Sequence, residues 1–154
     1  MKIKHLWSVL CKASVIDQDD NNISLHGILE QLTVSLVPKD PAKKFNKIGI
    51  PLNYEIVSLW QKNEKSQVAM GEIEYIFIDP KGKELFINTQ IMEIPKTSRR
   101  FRSRMKISGL PLTINGDYIF QIRLKEKDSG EFKLVSELPL EIEIKFERDL
   151  SKSN

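Results

Sequence analysis

Cysteine, histidine and glycine are scarce in this chain of 154 residues, which holds 1, 2 and 7 of them, and each scarcity removes a class of chemistry. The lone thiol, Cys11, has no partner for an internal disulfide, and with no export signal the expected compartment is cytoplasmic. His5 and His26 fall on different expected strands without the spacing of a zinc site. A glycine-rich phosphate loop, a nucleophile elbow and a dinucleotide fingerprint are all missing, so no cofactor and no metal are expected. Long apolar runs are missing too. The run Leu6 to Leu10 is shorter than the roughly 7 to 15 residues of a secretory core, and Lys12 follows Cys11 where a cleavage site needs small residues. Nothing approaches the roughly 18 apolar residues of a membrane span.

What is present suits one domain. Hydrophobic residues make up 40% and charged residues 29%, enough apolar area to order a single core. The domain is expected over 1–147, with a polar tail at 148–154. Lysine and arginine total 24 against 21 acids, a net charge of +3, far from the balance of a nucleic-acid-binding arm.

Apolar and polar residues alternate almost throughout, and no stretch keeps a helical stripe for three turns, so the class is all-β with little or no helix. Two apolar-rich runs, 3–16 and 23–37, flank "DQDDNN", whose Asp and Asn residues tolerate turn conformations, and read as a hairpin. Residues 38–47 hold 2 prolines and 4 lysines and read as a loop. Further strands are expected at 48–61, 67–78, 84–94, 98–108, 118–127 and 131–147. Asp79, Pro80, Lys81 and Gly82 suit a type I turn. About eight strands with frequent turns point to a single antiparallel β-sandwich of immunoglobulin-like or jelly-roll type.

Two stretches, "ISLHGILEQL" at 23–32 and "SGLPLTINGDYIFQI" at 108–122, carry a resemblance. Through Leu25, Gly27 and Ile28, and through Gly116 and Tyr118 at the start of a later strand, most of the chain resembles a family of small, uncharacterised bacterial proteins expected to form β-sandwiches. The resemblance implies the fold and transfers no activity. Read physically, Gly27 marks a β-bulge or a close backbone approach. Gly116 supplies a positive backbone angle, and Tyr118 is a corner tyrosine bonded to nearby backbone. Trp7 and Trp60 read as core, with an exposed tryptophan as a sugar platform the alternative.

The segment "SRRFRSRMKIS" at 98–108 places a cation at alternate positions. Strand alternation turns Phe101, Ser103, Met105 and Ile107 inward and lines Arg100, Arg102, Arg104 and Lys106 along the other face, about 6.6 Å apart. Arg123 and Lys125 would extend this ladder into a basic patch if their strand pairs with it. Three readings stand. The ladder is matched across the sheet by Glu137, Glu141, Glu143 and Glu147 of the last strand. Alternatively it docks an acidic protein, or it tracks the phosphates of nucleic acid or an anionic lipid surface; against the phosphate reading, no aromatic residue is interleaved on the cationic face.

Two chemical constellations complete the survey. In a hairpin with residue 16 opposite 23, His26 lies opposite Ala13 on the face of Cys11, so an enzyme built on a Cys11/His26 dyad is one alternative. Asp17, Asp19 and Asp20 share a turn and could join Asp40, Asp79, Asp117 or Asp128 around calcium, with turn chemistry the simpler account. The expected function is that of a non-enzymatic protein-interaction or assembly module, acting on a protein partner or on itself.

Overall fold

A computed structural model describes residues 2–37 and 47–147. The expected loop up to residue 46, with Asp40, and the expected tail at 148–154 lie outside the described residues. The described residues contain strands and no helix, so no helix is long and apolar enough to cross a membrane.

The strands in chain order are β1 (Ile3–Ile16), β2 (Ile23–Ile28), β3 (Gln31–Leu36), β4 (Ile48–Lys62), β5 (Ala69–Ile78), β6 (Glu84–Ile94), β7 (Arg100–Leu112), β8 (Gly116–Glu126) and β9 (Lys133–Phe146). They form two sheets, A in the order β2-β1-β4-β7 and B in the order β3-β9-β8-β5-β6. Sheet A is antiparallel, but β3 runs parallel to β9 at the edge of sheet B. The expected count of about eight strands becomes nine among the described residues, and the expected wholly antiparallel arrangement is corrected. The cause is a crossing inside the run 23–37. At Leu29 and Glu30, where the chain bends, it leaves sheet A and enters sheet B. Leu29 anchors the crossing: its side chain is buried in the core, and its N–H donates to the carbonyl of Leu10 at 2.8 Å.

Both sheets contribute to one core. Tyr54, Ile56 and Trp60 from β4 meet Tyr75, Phe77 and Phe120 from sheet B. The Phe77 and Phe120 rings stack at 4.4 Å, and Tyr54 reaches Phe120 from the other sheet at 5.9 Å. Each such ring removes roughly 150–250 Å² from water, which makes this group a large share of the core's apolar burial. Ser103, turned inward on β7 as alternation requires, accepts from the indole N–H of Trp60 at 2.9 Å and lies 3.4 Å from the Tyr75 hydroxyl. A small polar residue in the core thus gives the buried indole a partner.

The turns follow their chemistry. Gly82 N–H closes on the Asp79 carbonyl at 2.9 Å, and Asn21 holds the positive φ of 60° that the Asp/Asn-rich hairpin turn needs. Gly116 has φ 136°, and a β-carbon there would come within 3.0 Å of Pro80. The Tyr118 hydroxyl accepts from the N–H groups of Thr113 and Ile114, at 2.9 and 3.0 Å, and donates to the Ile114 carbonyl at 2.6 Å.

Candidate functional site

Sheet A has one face on the core and one turned away from it. Along β7, the outward set is Arg100, Arg102, Arg104 and Lys106. Their pairing partners on β4 are Gln61, Leu59, Val57 and Glu55, and those in turn pair with Lys4, Trp7, Val9 and Cys11 of β1. Residues directly opposite in antiparallel strands share a face. This surface is therefore a grid of a cationic column beside a largely apolar one.

Trp7 belongs to it because of a bulge. The register of β1 against β4 slips between His5 and Trp7, so His5 packs inward, edge-on to Trp60 at 5.0 Å, while Trp7 emerges half-buried on the outer face. The expectation that both tryptophans fill the core holds for Trp60 and is corrected for Trp7. No aromatic residue is interleaved in the cationic column itself; Trp7 stands in the row of Arg102 with Leu59 of β4 between them.

The β1–β2 hairpin folds back across this face. β2 stands three positions from β7 in the sheet order, yet Arg102 Nη2 donates to the carbonyl of Asn21 in the hairpin turn at 3.0 Å. Gly27, at φ 63°, makes the bend. Its pairing remains in register from Cys11↔Ile28 to Ala13↔His26, so the expected bulge is instead a left-handed kink, and a β-carbon would sit 3.0 Å from the Lys12 side chain. Beneath the hairpin, Cys11 and Val57 are 0% exposed although they face away from the core.

Each cation has a defined partner. Arg100 Nε donates to Gln61 Oε1 at 3.1 Å. Arg104 donates from Nε to the Ser14 hydroxyl at 2.8 Å and from Nη2 to the Ser14 carbonyl at 3.0 Å. Glu55 Oε1 lies 3.5 Å from Arg104 and 4.0 Å from Lys106. Between hairpin and β7 opens a cleft of about 440 Å³ lined by Lys12, Ser14, Glu55, Arg104, Lys106 and Ser108, among others. Glu55 is 5% exposed, and its Oε2 has no hydrogen-bond partner. Among the described residues the other buried side-chain atom without one is Nε of Arg102, on the same face.

The charges do not cancel here. Of the four cations only Arg104 and Lys106 lie near a carboxylate, both near Glu55, and Arg100 and Arg102 bond to neutral oxygens. In the hairpin turn Asp17 Oδ1 accepts from the N–H of Asp19 and of Asp20, and Asp20 Oδ1 from that of Asn22; among the described residues no ion pair joins these aspartates to the column.

Sheet B behaves differently, and two expectations fail on it. Arg123 and Lys125 do not extend the ladder, because β8 lies in sheet B; each has its own carboxylate on β5, Glu74 at 3.7 Å and Glu72 at 3.3 Å. Nor does the acidic stripe face the ladder. Glu137, Glu141 and Glu143 belong to β9, in the other sheet from β7, and Glu147 follows its end; Glu137 accepts from Gln121 at 3.3 Å.

The thiol and the acidic turns offer less. Cys11 lies under the hairpin with its thiol pushed above its ordinary value, by burial first and the Glu55 charge second, so the nucleophilic thiolate is disfavoured. His26 stands opposite Ala13 as expected, but its side chain is exposed while Cys11 is not. No cluster of three or more metal-ligating side chains occurs among the described residues.

Sequence reasoning located the ladder and missed Ser14, Asn21 and Glu55. Only Glu55 left a trace, as the single charged residue between Ile48 and Gln61. No family model and no curated protein matches this chain.

Proposed function

We propose that this protein is a non-enzymatic interaction module that engages an acidic segment of a protein partner through the outer face of sheet A. The observation that carries the reading is the charge imbalance: of four cations in a column only Arg104 and Lys106 lie near a carboxylate, and it is the same one, whereas Arg123 and Lys125 of sheet B each have their own. Arg100 and Arg102 bond to neutral oxygens and keep their charge for a partner's carboxylates, with which guanidinium groups form forked hydrogen bonds. Trp7 and Leu59 supply apolar area in the same row as Arg102, and tryptophan and arginine are the residues that dominate protein interfaces. The two orphaned polar atoms, on Glu55 and Arg102, belong to this face as well. On this reading the scaffold is a β-sandwich working in the cytoplasm.

A second reading has its own observation. Trp7 stands in the row of Arg102, across Leu59, and an aromatic on the same face as a cationic column is an arrangement that can stack bases and track the phosphates of a single strand. One experiment separates the two: a glutamate-rich peptide and a single-stranded oligonucleotide are titrated across a salt series against the wild type and Arg100→Glu/Arg102→Glu. Peptide binding lost in the variant, without oligonucleotide binding, supports the leading reading. Oligonucleotide binding with a log-log salt slope of about −0.7 per phosphate replaces it with the second. Binding of neither near physiological salt overturns both.

A further inference from the structure

Among the described residues strand β6 is an edge of sheet B, with β5 on one side and no strand on the other. Its middle reads Phe86-Ile87-Asn88-Thr89-Gln90-Ile91-Met92, and in chemical class this is the same from either end. Large apolar residues stand at the outside, isoleucines next, carboxamides next and a threonine in the centre. A two-fold interface makes this demand, because residue i of one copy meets j of the other and j meets i.

The edge is also undefended. The seven residues 86–92 contain no charge, proline or glycine, and Glu84 and Glu93 stand outside them. The other edges are shorter, bent or charged. β3 has 6 residues, β2 is kinked at Gly27, and β7 carries the arginine column with Gly109 and Pro111 after it. An edge of this length without a charged or proline guard is a template for pairing with another chain. Its outward side chains fit the same role: Ile91 is 77% exposed and Ile87 49%, and no described residue covers them.

We infer that two copies of this protein associate through β6, antiparallel and centred on Thr89, so that sheet B runs continuously through the dimer. In that register Ile87 meets the partner's Ile91 at two symmetric positions on the outer face. Asn88 meets the partner's Gln90, whose Oε1 accepts from its own Tyr75 at 3.3 Å and whose N–H₂ remains to donate. Phe86 falls opposite the partner's Met92. The alternatives are poorer. A slip of one residue sets outward side chains against inward ones. A slip of two sets Ile87 opposite the partner's Glu93 in one direction, or opposite the partner's Thr89 in the other.

The test is sedimentation of the full chain from about 1 µM to about 100 µM, with site-directed crosslinking. The wild type is expected to shift from monomer toward dimer with concentration. Ile91→Lys, a change at an exposed side chain, is expected to weaken that association about tenfold or more, while Leu134→Lys at another exposed apolar position leaves it unchanged. Thr89→Cys, on the two-fold axis, is expected to give a disulfide-linked dimer under mild oxidation, because opposed α-carbons in an antiparallel pair lie about 4.5–5.5 Å apart. Ile87→Cys is expected not to, its symmetry mate being displaced along the strand. A wild type that stays monomeric throughout overturns the inference, as does a dimer indifferent to Ile91→Lys or one that crosslinks through Ile87→Cys in preference to Thr89→Cys. The dimer does not use the cationic face, so Arg100→Glu/Arg102→Glu leaves it intact, and failure here is separate from failure of the proposed partner binding.

Discussion

Arg104 grips Ser14 at two atoms, its Nε on the hydroxyl at 2.8 Å and its Nη2 on the carbonyl at 3.0 Å, across 90 residues of sequence. It also stands 3.5 Å from buried Glu55. This arginine is a strut between β7 and the folded-back hairpin, unlike its exposed neighbour Arg100. Arg104→Ala should therefore cost about 2–3 kcal/mol, since it removes three interactions and leaves a buried carboxylate with little compensation. Arg100→Ala should stay within about 0.5 kcal/mol. Urea denaturation of both variants checks the contrast, and equal losses would mean that the hairpin does not depend on Arg104.

Tyr118 closes the turn between β7 and β8 through one hydroxyl, which accepts from two backbone N–H groups and donates to a carbonyl. Tyr118→Phe keeps the ring against Phe77, 5.2 Å away, and strips the partners from Thr113 and Ile114. The expected loss is about 1–3 kcal/mol. Hydrogen exchange should quicken at the amides of Thr113 and Ile114 in particular.

Periodicity carried the strands because one face of nearly every strand is buried. β6 spans 84–94 as expected, and Ser103 lies inward among apolar neighbours where alternation put it. What periodicity could not carry was a change of pairing partner. At the crossing the apolar positions change parity, from 23, 25 and 29 to 32, 34 and 36, but so short a break does not say that the chain changes sheets, so 23–37 reads as one strand, and with it goes the parallel pairing of β3. The bulge after His5 reverses the parity of Trp7, and because Leu6 and Trp7 are both apolar the sequence does not mark which of them faces out. The candidate site suffered most, because Ser14 and Asn21 come from a hairpin that meets β7 only by folding back across the sheet. A glycine in a strand announces some irregularity, but its position does not say which way the chain turns.

Asp79 accepts from the N–H groups of Lys81 and Lys83 and from the Thr113 hydroxyl. Burial alone would push its carboxyl up, but these donors and the Lys83 charge together hold it below the ordinary carboxylate value. A group with a depressed folded value binds its proton less readily when folded than when unfolded. Its stabilisation is present above the unfolded value and is lost as pH falls through the folded one. The stability gap between wild type and Asp79→Asn should accordingly be widest at neutral pH and narrow below about pH 4. Urea midpoints for the pair from neutral to acidic pH would show this, and a constant gap would contradict the assignment.

His5 gives the opposite kind of group a similar pH dependence. Its ring lies edge-on to Trp60, and Nε2 shares a 2.7 Å hydrogen bond with the Ser8 hydroxyl, which meets Ser58 at 2.6 Å. Burial lowers its pKa, outweighing a backbone hydrogen bond involving Trp7 that acts to raise it. The folded protein therefore resists protonating this ring more than the unfolded chain does. By linkage the contribution of neutral His5 is complete above the ordinary histidine value, about 6.5, and declines as pH falls below it toward the depressed folded value. Because the bulge beside His5 sets Trp7 on the outer face, protonation should loosen that end of β1 as well as lower global stability. His5→Gln should remove the pH dependence between about pH 7 and pH 5 while keeping a partner for Ser8. Thermal unfolding of the two proteins across that range decides the matter, and a dependence that survives the substitution assigns it to another group.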